Sequence, residues 1–81
     1  METRVALLSI IVEDIEAAEQ INALLHQYRQ YIIGRMGIPH EERKISIISV
    51  AMDGPKDAIS ALSGKLVAIE GVSTKTVYSK A

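Results

Sequence analysis

RVALLSIIV, residues 4–12, and KISIISVAM, residues 44–52, decide the fold. Each is a nine-residue stretch rich in β-branched side chains, too short for a long helix, and each reads as a strand. Each is also apolar on both faces. Val5, Leu7 and Ile11 alternate with Leu8, Ile10 and Val12 in the first; Ile45, Ile47 and Ala51 alternate with Ile48, Val50 and Met52 in the second. A strand that is apolar on both sides belongs in the middle of its sheet.

Outward from these two strands the chain alternates helix and strand. After the first, Glu13, Asp14, Glu16 and Glu19 crowd one end of a helical segment over about 14–28, and His26 and Arg29 lie near the other. That is the charge order favoured by the helix dipole. Ile15, Ala18, Ile21, Leu24, Leu25 and Tyr28 form its expected apolar stripe. A second strand is expected over about 31–38, interrupted by Gly34 and Gly37, which suggest a bulge or a close backbone approach. Pro39 to Arg43 reads as a polar hairpin connection.

After 44–52, Asp53-Gly54-Pro55 punctuates a second helix over about 55–68, with Pro55 at its first position. Its stripe is Ile59, Leu62, Leu66 and Ile69, and Ser63 and Gly64 weaken its middle. Gly71 is a stop or turn. The last strand, about 72–79, alternates Val72, Thr74, Thr76 and Tyr78 with Ser73, Lys75 and Val77, a half-polar pattern suited to an edge.

The order is therefore β-α-β-β-α-β, two halves of about 40 residues in one domain over residues 1–81. Right-handed crossovers put both helices on one face of an antiparallel sheet of order 4-1-3-2, an α+β, ferredoxin-like sandwich. The two strands that are apolar on both sides then occupy the two central places.

Helices cover only one face of such a sheet. The other is expected to carry Val5, Leu7, Ser9 and Ile11 beside Ile45, Ile47, Ser49 and Ala51. Strand propensity alone would select some of these residues. An apolar patch of this extent is nonetheless rarely left wet on a monomer. The expectation is a homo-oligomer, dimer or tetramer, with Leu7, Ser9, Ile11, Ile47 and Ser49 in its interface.

Composition narrows the function. Of 81 residues 48% are apolar, generous for so small a chain, while net charge is −1 and nine Lys and Arg are scattered. No basic block serves a phosphate backbone, so direct nucleic-acid binding is not expected. The central strands lack the aromatic rings that stack RNA bases. No apolar run reaches membrane-spanning length. The apolar start lacks a cleavage site, so the chain is read as cytoplasmic.

No Cys is present, which removes thiolate clusters and disulfides. His26 reads as a helix-end residue favoured by the dipole. His40, with Glu41 and Glu42, reads as a solvated turn, because metal sites need three or four converging ligands. Ser9 and Ser49 have no adjacent His to activate them. No catalytic residue, metal site or cofactor is read. The candidate ligand contacts are Arg35, His40 and Arg43, the last beside Lys44.

VALLSIIVEDIEAAEQIN, YIIGRMGIP, KISIISVAMDGPKDAISALSGKL and IEGVSTKTVYSK together resemble the small stand-alone family of iron-only hydrogenase system regulators, over essentially the whole chain. The resemblance implies an ACT-like version of the ferredoxin fold, similar to the regulatory domain of nickel-responsive repressors. It also implies a regulatory role near hydrogenase maturation and a protein partner in maturation or transcription control. Those repressors place His and Cys ligands on the second strand and its hairpin, where this chain has Arg35, Gly37 and Arg43. Amino-acid-binding ACT domains place a Gly near the start of the first helix, where this chain has Glu13-Asp14-Ile15. Neither ligand set is carried over. No helix-turn-helix segment is present, so control of transcription would run through a DNA-binding partner.

Overall fold

The structure, a computed structural model, describes residues 2–80. Its strands are β1 (Arg4–Val12), β2 (Ile32–His40), β3 (Ile45–Gly54) and β4 (Val72–Tyr78), and its helices are α1 (Ala18–Gln27) and α2 (Lys56–Val67). All pairings are antiparallel and the sheet order is β2-β3-β1-β4, the expected topology read from the other edge.

Alternation along β1 puts Ala6, Leu8, Ile10 and Val12 under the helices and leaves Val5, Leu7, Ser9 and Ile11 outside. Leu8, Ile10, Val50 and Met52 from the sheet meet Ile21 and Leu25 of α1 and Ile59, Leu62 and Leu66 of α2 in one core. Fully burying an aliphatic side chain of this size contributes about 1.5–3 kcal/mol, so this cluster is the main source of stability.

The start of the first helix departs from the expected stripe. Residues Ile15–Ala17 wind as a 3-10 turn before α1 begins, with the Asp14 carboxylate accepting from the Glu16 N–H at 3.0 Å. Three residues per turn rather than 3.6 rotate the apolar positions. Ala17 is buried instead, Ala18 is exposed, and Ile15 stands 82% exposed. Pro55 is the residue before α2, in extended conformation, rather than its first helical residue. Pro39 and His40 belong to β2, not to the connection. An edge strand tolerates Pro because one side of its backbone needs no N–H donor. The connection shortens to residues 41–44, closed by the Lys44 N–H on the Glu41 carbonyl at 3.2 Å.

Gly34 marks a bulge, where the register slips between Ile32 and Gly34. Gly71 is needed for its conformation and for space. Its φ is +81°, and a Cβ there would lie 2.6 Å from Cβ of Asp14. Its carbonyl accepts from the Glu13 N–H at 2.7 Å, tying the β1–α1 turn to the start of β4. Gly71→Ala is expected to cost at least about 1–2 kcal/mol from the left-handed backbone alone. Thermal unfolding should show a fall of roughly 5–15 °C in Tm.

Candidate functional site

Two surfaces stand out. The first is the sheet face away from the helices. Pairing register sorts its residues into rows that run across the strands. Met36, Ser49, Ser9 and Lys75 make the middle row. On one side of it lie Ile38, Ile47, Ile11 and Ser73; on the other lie Gly34, Ala51, Leu7 and Val77. Val5, Leu7, Ile11, Met36, Ile38, Ile47 and Val77 are each 41–62% exposed. Residues Leu7, Ser9, Ile11, Ile47 and Ser49 thus share one face, with the two serines opposite each other at its middle. The sequence reading had not placed Met36, Ile38 and Val77 there. Their period-2 spacing to Gly34 and Lys75 was the available signal.

The second surface is an open groove of about 930 Å³ on the helix side. The helices sit over β1, β4 and part of β3, and β2 carries little cover, with residues 33–40 all exposed. Val12, Ile21 and Ile48 supply apolar walls. Gly37, opposite Ile48 in the register, leaves the space unfilled; nothing lies within 4 Å of where its Cβ would be. Arg35 reaches across from β2 and donates to the Asn22 side-chain carbonyl on α1 at 3.0 Å. That bond separates the groove from a smaller recess lined by Leu25, His26, Arg29 and Ile32.

Of the three candidate ligand contacts, Arg35 and His40 line the groove together, whereas Arg43 does not. Its neighbour Lys44, held at φ 55°, takes that place. Glu13, Asp14 and Glu41 line the groove too. Mixed charge around apolar walls suits an amphipathic guest better than a simple anion. Asn22 and Gly37 gained their roles only from tertiary packing. His26 lies in the last turn of α1, as expected, and its carbonyl accepts from Arg29 at 2.9 Å.

Ser9 and Ser49 share their row with Met36 and Lys75, and neither a His nor a carboxylate stands in it. Among the described residues there is no group of three or more His, Cys, Asp or Glu that could hold a metal ion. Nor is any described helix long and apolar enough to cross a membrane.

A four-stranded antiparallel sheet with two helices on one face defines a ferredoxin-like α+β domain. Known structures share that fold. A nitrogen regulatory PII-like protein, CPII, from Thiomonas intermedia K12 matches with a TM-score of 0.52 at 17% identity, over 99% of this chain and 96% of that one. The divalent ion tolerance protein CutA1 from Ehrlichia chaffeensis gives 0.52 at 13% identity, over 100% and 86%. At these identities the likeness shows the fold alone.

The chain belongs to the TM1266-like family, provisionally described as iron-only hydrogenase system regulators, whose profile matches residues 4–76. It is similar to the uncharacterized protein TM1266 from Thermotoga maritima, with 41% identity and a TM-score of 0.93 over 98% of this chain and 100% of that one. No curated protein matches it.

Proposed function

We propose that this chain is a non-enzymatic regulatory domain of the iron-only hydrogenase system that works in the cytoplasm as a homo-oligomer. The observation that carries this reading is the uncovered sheet face, with its seven exposed large apolar side chains. The largest apolar patch on a typical monomer is about 300–600 Å² and often functional. Family membership supports the regulatory role, and the groove beside Arg35 offers a place where a small ligand or a partner's chain could act on it.

Sedimentation velocity on the purified chain tests the reading. The expected mass is a multiple of 8.9 kDa at micromolar concentration. A monomer at every concentration overturns it. Ligand control has its own test, because a ligand that binds only the folded chain raises its unfolding temperature, by an amount that grows with the logarithm of its concentration over its dissociation constant. A screen in which no candidate effector shifts that temperature would favour a scaffold partner of a maturation enzyme instead.

A further inference from the structure

We infer that two copies stack open face to open face about a two-fold axis that runs parallel to the strands, midway between β1 and β3. This rests on the oligomeric reading above and goes further by fixing which surface meets which.

Size comes first. Four strands at ordinary spacing span about 19 Å, and nine residues of β1 rise about 30 Å. The face therefore offers about 570 Å² per copy in projection, and relief of the side chains adds to that. A pair buries more than the about 1,000 Å² that a biological interface should clear.

The pattern of large and small side chains admits two axes, and charge chooses between them. The stated axis exchanges β1 with β3 and β2 with β4 while keeping each row opposite the same row. Ile38 then meets Ser73 of the second copy, Leu7 meets Ala51, and Val77 meets Gly34. Each is a large residue over a small one, which lets facing layers interdigitate. In the outer rows Ile47 on Ile11 is the one pair that is large on both sides. In the middle row Ser9 meets Ser49, so each hydroxyl finds a donor–acceptor partner when water is excluded. Met36 meets Lys75, whose aliphatic stem covers the apolar side chain while its ammonium stays at the rim.

The competing axis runs along the middle row and keeps each strand opposite itself. It too sets large against small at three of the four outer positions, with Ile11 over Leu7 the exception. It brings Lys75 over Lys75 and Met36 over Met36, however, which places two like charges face to face at one edge. Like-charge juxtaposition disfavours that arrangement. The interface is then isologous: the contact from Met36 to Lys75 occurs twice, once in each direction.

The chain has no cysteine, so single-cysteine variants carry one thiol each. Met36→Cys and Lys75→Cys are made separately, checked for native circular dichroism and treated with a short bis-maleimide, alone and mixed. The expected result is strong covalent dimer in the mixture and little from Met36→Cys alone, which keeps the Lys75 charge that disfavours the competing axis. Gln20→Cys on exposed α1 serves as the background control. Cross-linking of each variant with itself, and no gain on mixing, overturns the stated axis. A sedimenting dimer that cross-links in neither way places the contact elsewhere and overturns the inference while leaving the oligomeric reading standing. A monomer overturns both and assigns the face to a different protein.

Discussion

Leu7→Glu leaves the domain folded and converts the assembly to monomers. Leu7 is 42% exposed in the single copy, on the far side of the sheet from the core, so a carboxylate there stays solvated when the copies are apart. In the stacked pair it faces Ala51 of the other copy, with no cation in its row. A charge buried without a partner costs about 3–5 kcal/mol. The two-fold repeats the substitution, so the dissociation constant rises by at least roughly 100-fold. Sedimentation velocity at the concentration where the wild type is assembled reads this directly, with far-ultraviolet circular dichroism as the check on folding. Ile47→Glu gives the same result from β3. A Leu7→Glu chain that still sediments as the wild type does would remove the open face from the assembly.

Leu8→Ala, one residue along, has the opposite character: it attacks the fold of each copy. Leu8 is fully buried between the helices and the sheet. Truncating a buried Leu to Ala typically costs about 2–5 kcal/mol, the spread depending on how far the cavity collapses. For a chain of this length the whole stability is about 4–12 kcal/mol. Thermal unfolding should therefore drop by roughly 10–30 °C. Because association also stabilises the folded copy, the comparison belongs at one fixed chain concentration. A Leu8→Ala variant within a few degrees of the wild type would mean the core is not where the strand alternation puts it.

The contrast between adjacent residues shows why so much of the fold could be read from residues 4–12 and 44–52. Alternation in a strand is a local property, and two-sided apolar strands have few places to go. The bounds of β1 emerged as read, and the open-face set followed from comparing the two parities. What escaped was set by tertiary context. Ile15 has helical spacing to Ala18, yet the chain enters α1 through a 3-10 turn and turns it outward. His40 sits among turn-forming residues, yet β2 runs on through Pro39 because it lies at the edge. One end of the groove is bounded by the Arg35 to Asn22 bond, which joins residues thirteen apart on different elements. Only the glycine at 37 hinted at it, and a lone strand glycine does not say what it makes room for.

The place of β1 in the sheet also bears on how the protein is made. β1 leaves the ribosome before both of its partners, β3 and β4, and its pairing with β4 joins residues 6–12 to 72–78. At ordinary synthesis rates of about 5–20 residues per second, roughly 3–13 s pass between the appearance of β1 and that of β4. Throughout that interval VALLSIIV, an uncharged and strongly β-forming run, has no completed sheet to enter, and such segments are aggregation hazards while exposed. β1 is therefore the segment most in need of protection during synthesis, and slowed translation should lower the soluble yield of this protein more than that of a helical bundle of equal length.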